Sequence, residues 1–240
     1  MDRSRRDIFG IFGSITAGAQ AAMAAPAPAK PDAPQRAPHW AMVVDVGKCI
    51  GCQACTMACI MENAVPENSF RTFVSTYEVE TEAGTHNYML PRLCNHCDNP
   101  PCTPVCPVGA TWKEPDGIVV VDADRCVACG YCVQACPYDA RFINRQTRTA
   151  DKCTFCAHRV HAGLLPACVE TCVGGSRIFG DLNDPQSEVS RILKARKDEV
   201  RVLKPEENTR PQVYYLGLDP RFEGRVDGAP TLWRPSEARG

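Results

Sequence analysis

The 240-residue chain carries sixteen cysteines, and every one belongs to a tight quartet. Cys49, Cys52, Cys55 and Cys59 form the first quartet, and Cys94, Cys97, Cys102 and Cys106 the second. Cys126, Cys129, Cys132 and Cys136 form the third, and Cys153, Cys156, Cys168 and Cys172 the fourth. This spacing constrains the fold more than any apolar pattern does. Aromatic residues make up only 7% of the chain, against 20 prolines and 17 glycines. That is thin material for an apolar core, and cysteine-dense folds make up the deficit with disulfides or metal.

Disulfides fit poorly, because cysteines two residues apart in a tight loop seldom reach good bridge geometry, and this chain repeats that spacing many times. Structural zinc commonly uses two separated Cys-x2-Cys pairs. Here the first and third quartets each fit inside eleven consecutive residues, and only the fourth is spaced in a zinc-like way. A cubane iron–sulfur cluster needs four thiolates, and Cys-x2-Cys-x2-Cys offers three on one short loop. The sixteen thiolates then hold four [4Fe-4S] clusters with none left over.

The fourth cysteine of a compact quartet sits about one helical turn beyond the loop and points away from it. In two-cluster ferredoxins that cysteine ligates the other cluster, so quartets must pair. Pro107 and Pro137 follow the last cysteine of the second and third quartets, whereas Ile60 and Val173 stand there in the others. That sorts the quartets into an inner pair, second with third, and an outer pair, first with fourth. The segments KCIGCQACTMAC (Lys48 to Cys59) and RCVACGYCVQAC (Arg125 to Cys136) are the same phrase. The other two quartets are stretched versions. The fold class expected is α+β: two ferredoxin-like 2×[4Fe-4S] modules related by pseudo-symmetry, with short strands and helices and a C-terminal helix plus tail.

Local patterns fill in that outline. Met42–Val44, Ile118–Val121, Arg141–Ile143 and Val213–Leu216 read as strands, Gln53–Asn63 as helix, and Val74–Glu80 with Asn87–Leu90 as a hairpin. Asp184 reads as an N-cap, with Pro185 at the first helical position and an apolar face running through Val200. His96, His158 and His161 lie near cysteines, but sixteen thiolates leave no ligand vacancy for them. Lys48, Arg125 and Lys152 immediately precede quartets, where they either offset anionic clusters or are solvated. No nucleophile–base set, phosphate loop or paired-carboxylate signature is present, so no catalysis is expected on this chain alone. A net charge of −1 gives no electrostatic case for nucleic acid.

Arg3, Arg5 and Arg6 precede a moderately apolar run from Ile8 to Ala25, and Ser4-Arg5-Arg6-Asp7-Ile8-Phe9 reads as a twin-arginine export signal. The organisation expected is a leader at 1–29, a Pro-rich linker at 30–40, a four-cluster domain at 41–183, and a partner-contacting helix and tail at 184–240. Export of a folded, cluster-loaded chain by that route explains how so many thiolates leave the cytoplasm without becoming disulfides. A periplasmic location follows. No apolar stretch is long enough to span a bilayer, so membrane contact is expected only through a partner.

The segments RLCNHCDNPPC (Arg92 to Cys102), GIVVVD (Gly117 to Asp122), ACPYDARFIN (Ala135 to Asn144), TADKCTFC (Thr149 to Cys156), LLPACVETCVGG (Leu164 to Gly175) and VYYLGLD (Val213 to Asp219) carry a resemblance. The chain resembles the iron–sulfur electron-transfer subunits of molybdopterin oxidoreductases, and within them the tetrathionate reductase beta subunits. The resemblance implies four ligand sets: Cys49, Cys52, Cys55 and Cys172; Cys59, Cys153, Cys156 and Cys168; Cys94, Cys97, Cys102 and Cys136; and Cys106, Cys126, Cys129 and Cys132. It further implies a relay of electrons from a quinol-oxidising integral membrane subunit to a molybdopterin catalytic subunit, with the Cys49/Cys172 set nearest the latter. Other complexes of the same type, for polysulfide, arsenate, nitrite or formate, share the cysteine layout. A free ferredoxin-like carrier is the reading of a different class; the C-terminal tail and the 72–92 insertion speak against it.

Overall fold

Most of the strands are short, and several lie between cysteine loops. A computed structural model describes residues 36–82 and 84–224. Along the chain run β1 (Trp40–Asp45), α1 (Ala54–Asn63), β2 (Thr72–Thr81), β3 (Gly84–Leu93), β4 (Thr111–Lys113), β5 (Val119–Val121) and α2 (Tyr131–Gln134). Then follow β6 (Arg141–Asn144), β7 (Thr149–Lys152), α3 (Ala157–Val160), α4 (Ala167–Glu170), β8 (Arg177–Asp181), α5 (Glu188–Ala195), β9 (Val200–Arg201), β10 (Val213–Leu216) and α6 (Pro220–Glu223). This mix of short helices and strands is α+β. The leader expected at 1–29 and the twin-arginine motif lie outside the described residues, as do most of the linker and residues 225–240. Among the described residues no helix is long and apolar enough to cross a membrane.

The one larger sheet has four strands in the order β8-β1-β10-β9. β1 runs parallel to β10, with Met42 opposite Val213 and Asp45 opposite Leu216, and antiparallel to β8. An inner strand covered on both faces should read as an unbroken apolar run, and Ala41, Met42, Val43 and Val44 are all fully buried. Ala41 and Val43 face Val189, Ile192 and Leu193 of α5. Met42 and Val44 face the main core, where Leu90, Ile118, Phe155 and Tyr215 pack directly with Cys55, Cys94, Cys97, Cys153 and Cys168. The cysteine loops are therefore continuous with the apolar core.

Three two-stranded hairpins, β2/β3, β4/β5 and β6/β7, complete the framework. The β2/β3 hairpin buries its base and exposes its tip. Midway along it Tyr77 and Tyr88 enclose Phe222 of α6, with ring centroids 4.7 and 4.5 Å apart. This cluster fastens the end of the described chain to the insertion between the first and second quartets.

The helix expected from Asp184 starts later and is half as long. Asp184 instead closes a turn, its side chain accepting from the Gln186 N–H at 2.8 Å, and Ser187 occupies the N-cap of α5. Val200 leaves the helix and pairs with Leu216. A short polar side chain that can bond its own backbone two residues on favours such a turn over a helix start.

The fourth-quartet loop is stitched to the end of β1 by Asp45 N–H to Ser176 O at 2.8 Å and by Ser176 Oγ to Asp45 O at 2.7 Å. A Cβ on Gly174 would collide with the backbone carbonyl of Lys48, whereas one on Gly175 would meet nothing within 4 Å. Gly174→Ala is accordingly expected to cost about 1–3 kcal/mol, the usual range for overpacking, and to lower the iron content. Gly175→Asn, which tolerates the left-handed backbone at φ 62°, should leave both nearly unchanged. Thermal melting with iron analysis on the two variants reads the difference.

Candidate iron–sulfur centres

All four quartets use one local device. The residue immediately before the second cysteine has a left-handed backbone each time: Gly51 at φ 70°, His96 at 42°, Ala128 at 55° and Phe155 at 51°. Only one of the four is glycine, so the conformation is imposed by the loop and not granted by the residue. Left-handed backbone at a non-glycine residue costs roughly 1–2 kcal/mol. Strain of that kind, repeated at equivalent places, marks a site whose surroundings over-determine it.

All sixteen cysteines are free. They gather into four groups, each with three members from one quartet and one from another. Cys49, Cys52, Cys55 and Cys172 line one cavity, together with Lys48, Gln53 and Arg177. Cys59, Cys153, Cys156 and Cys168 line a second, and Cys106, Cys126, Cys129 and Cys132 another. Cys94, Cys97, Cys102 and Cys136 are grouped electrostatically: burial, then Cys94, with Cys136 and Cys102 adding to it, pushes the Cys97 thiol up to about 12. Burial and then Cys94 push Cys136 up to about 11.

The donor set suits a cluster and not a single ion. Four thiolates around one zinc stand about 3.8 Å from each other, as Zn–S bonds of about 2.3 Å require. Among the described residues no group of three or more His, Cys, Asp or Glu converges tightly enough for one metal ion. Thiolates surrounding a cubane stand farther apart and leave a cavity between them, and three of the four groups line such a cavity. Burial, followed by Cys168 and Cys156, pushes the Cys59 thiol up to about 12. Cys168 rises to about 11 through burial despite the neighbouring Arg177. Thiolates crowded in this way need the positive charge of a bound metal to stay ionised.

Backbone and side-chain donors converge on the sulfurs. The N–H groups of Ala110, Ala150 and Ser176 donate to Cys106, Cys126 and Cys172, each at 3.2 Å. Two of these pairs follow one rule: the fourth cysteine of a quartet receives the N–H of the residue four positions on. Ala140 stands in the same relation to Cys136. At Cys106, burial pushes the thiol up, but backbone N–H groups led by Ala110 and Val108 outweigh it and bring the thiol below its ordinary value. Asn63 Nδ2 approaches Cys59 Sγ at 3.6 Å and Cys156 Sγ at 3.7 Å, and its Oδ1 accepts from Arg71 at 3.0 Å.

None of the three histidines is on a thiol. His96 is fully buried, stacked on Phe155 with ring centroids 3.8 Å apart, and its Nδ1 accepts from Val119 N–H at 3.1 Å. His158 and His161 lie at the surface, each 2.8 Å from a carboxylate, Glu62 and Asp116. Of the three cations that precede quartets, Lys48 and Arg125 are exposed beside Asp45 and Asp122, while Lys152 is buried. Arg141 and Arg177 are also buried among the cysteines and were not singled out by the sequence. Each opens a strand; Arg141 lies within the ACPYDARFIN segment, but nothing in that segment announces its burial.

Two family models describe most of this cysteine-bearing region. A 4Fe-4S dicluster domain matches residues 48–110 and a second 4Fe-4S dicluster domain matches residues 85–182. The B subunit of tetrathionate reductase from Salmonella typhimurium is 54% identical to the chain, over 98% of this chain and 97% of that protein. The chain belongs to the tetrathionate reductase B-subunit family of 4Fe-4S dicluster proteins. The corresponding tetrathionate reductase protein of Archaeoglobus fulgidus is 45% identical, over 75% of this chain and 83% of its own. The thiosulfate reductase electron transfer subunit of Salmonella typhi is 43% identical, over 70% and 93%. Membership in this family makes electron transfer through iron–sulfur clusters the function of the chain.

Asn63 offers a direct check on the donor network. Asn63→Ala should keep the iron content but lower the reduction potential of one centre, since donors to sulfur stabilise the reduced, more negative form. A potentiometric titration followed by electron paramagnetic resonance measures it.

Proposed function

We propose that the chain holds four [4Fe-4S] clusters and relays electrons from a quinol-oxidising integral membrane subunit to a molybdopterin catalytic subunit that reduces tetrathionate. The observation that carries the reading is the sorting of sixteen free cysteines into four groups of three plus one. Cys49, Cys52, Cys55 and Cys172 would hold one cluster, and Cys59, Cys153, Cys156 and Cys168 the next. Cys94, Cys97, Cys102 and Cys136 would hold the third, and Cys106, Cys126, Cys129 and Cys132 the fourth. When bound, these groups supply one-electron redox chemistry. The chain's own residues would ligate, exclude water and aim N–H donors at sulfur; the non-catalytic role rests on the likeness to an electron transfer subunit of a related reductase. The pairing of first with fourth and second with third quartets, together with the shared left-handed loop position, supports two related modules.

The exposed apolar residues support docking at both ends. Ile50 lines the Cys49/Cys172 cavity at 64% exposure, and Val173 beside it is 77% exposed. Val127 lines the Cys106/Cys126 cavity at 61% exposure. Exposed apolar side chains gathered in one place commonly mark interaction surfaces; Ile50 with Val173, and Val127 with Val108 on the wall of the other cavity, suit a catalytic subunit at the first end and a membrane subunit at the other. Export as a folded, loaded chain to the periplasm completes the proposal and rests on the Ser4–Phe9 motif.

The test uses the assembled complex. Cys126→Ser should lose most quinol-linked tetrathionate reduction, while the catalytic subunit's affinity for tetrathionate, read with an artificial donor, stays unchanged. Full quinol-linked turnover with that cluster missing would remove the relay.

A further inference from the structure

Three of the buried cations, Arg177, Arg141 and Lys152, lie among the cysteines without a carboxylate to neutralise them. Arg177, Arg141 and Lys152 are 3%, 4% and 1% exposed, and among the described residues none forms an ion pair with Asp or Glu. Burying an unpaired charge is strongly unfavourable, so each must answer to another anion. The thiolates are the anions at hand.

Each cation is within electrostatic reach of two different groups. Arg177 lines the Cys49/Cys172 cavity and has Cys55 of that group beside it. Its Nη1 lies 3.8 Å from Cys168 Sγ of the second group, while Nη2 donates to Thr72 Oγ1 at 2.8 Å. Lys152 Nζ donates to the carbonyls of Val119 and Cys153, and faces Cys153 of the second group and Cys94 and Cys102 of the third. Arg141 faces Cys94 and Cys102 of the third group and Cys132 of the last. Its Nη2 donates to Thr111 Oγ1 at 2.9 Å. Its Nε and Nη1 are buried with no hydrogen-bond acceptor, and the Cys102 and Cys132 thiols stand beside it.

Arg141 and Lys152 are moreover direct partners across the β6/β7 hairpin. Like charges directly opposite each other destabilise a strand pair. A hairpin that keeps two buried cations face to face is built to present positive charge to something between and beyond them.

We propose that Arg177, Lys152 and Arg141 form a ladder of fixed cations, one at each junction between consecutive cysteine groups, and that each raises the reduction potential of the two centres it separates. A cubane held by four thiolates is a net anion, and adding an electron to one of two neighbours makes the second reduction harder. A cation at the junction offsets both effects and keeps neighbouring potentials close enough for transfer in small steps. The inference rests on the four-cluster reading, which iron analysis tests separately.

The experiment is a potentiometric titration of the full-length, cluster-loaded chain, with all four midpoint potentials and the iron content read on each variant. Arg177→Gln should lower two of the four potentials and Arg141→Gln the other two. The expected size is about a tenfold change in the oxidised-to-reduced ratio at fixed potential, or about 59 mV for a one-electron couple. The double variant should lower all four, and Lys152→Gln one from each pair. Arg177→Lys and Arg141→Lys, which keep the charge, should return the potentials towards those of the wild-type chain. If the glutamine variants lose iron, the lysine variants decide: full iron with unshifted potentials supports the ladder, and loss of iron there too assigns the residues to packing alone. Unchanged potentials in fully loaded glutamine variants, or a uniform shift of all four from one substitution, would overturn it. A wild-type chain without iron would instead end the four-cluster reading.

Discussion

The structure depends on the crossing of the fourth cysteine. Cys172 leaves its own quartet to line the cavity of Cys49, Cys52 and Cys55, and Cys59 leaves that quartet for the cavity of Cys153, Cys156 and Cys168. Segments about a hundred residues apart must therefore be brought together before either of these groups can close. The four-stranded sheet does this: β1 leads into the first quartet, β8 follows directly from the fourth, and the two are hydrogen-bonded neighbours. The close approach of Gly174 to Lys48 and the Ser176–Asp45 bonds lie on that same seam. Core, sheet and cysteine groups are one construction, which is how a chain with 7% aromatics forms a stable interior.

Charge is the second constraint, and it follows from the first. Sixteen thiols brought together in and around an apolar interior repel one another when ionised, and burial holds the innermost of them protonated until metal is bound. Bound metal reverses this locally but leaves each centre anionic. The interior answers with N–H donors at the ends of the quartets and with three cations that have no carboxylate partner. His96 and Phe155, one from each of the Cys94/Cys97 and Cys153/Cys156 loops, stack on each other fully buried, so these two loops meet in the interior beside buried Lys152.

Much of this was legible in the sequence, because cysteine spacing is a local code. The quartets, their repeat, the strand at Met42–Val44, the helix after Cys52 and the strand at Val213–Leu216 each depend on a few neighbouring residues. What was not legible depends on distant ones. Nothing in VYYL announces that it will lie parallel to β1 and form the inside of the sheet. Ala128, His96 and Phe155 carry no glycine signature, yet all adopt the backbone that Gly51 adopts freely. Arg141 and Arg177 look like ordinary strand-opening charges until the fold buries them among thiols. The Asp184 turn mimicked a helix start because one side chain serves both purposes.

The crossing itself is most directly tested by Mössbauer and electron paramagnetic resonance spectra of single serine variants of the loaded chain. Crossing predicts that Cys172→Ser perturbs the same centre as Cys49→Ser, and that Cys168→Ser, a member of the same quartet as Cys172, perturbs the centre that Cys59→Ser does. If Cys172→Ser and Cys168→Ser instead alter one and the same centre, each quartet holds its own metal and the crossed arrangement is wrong.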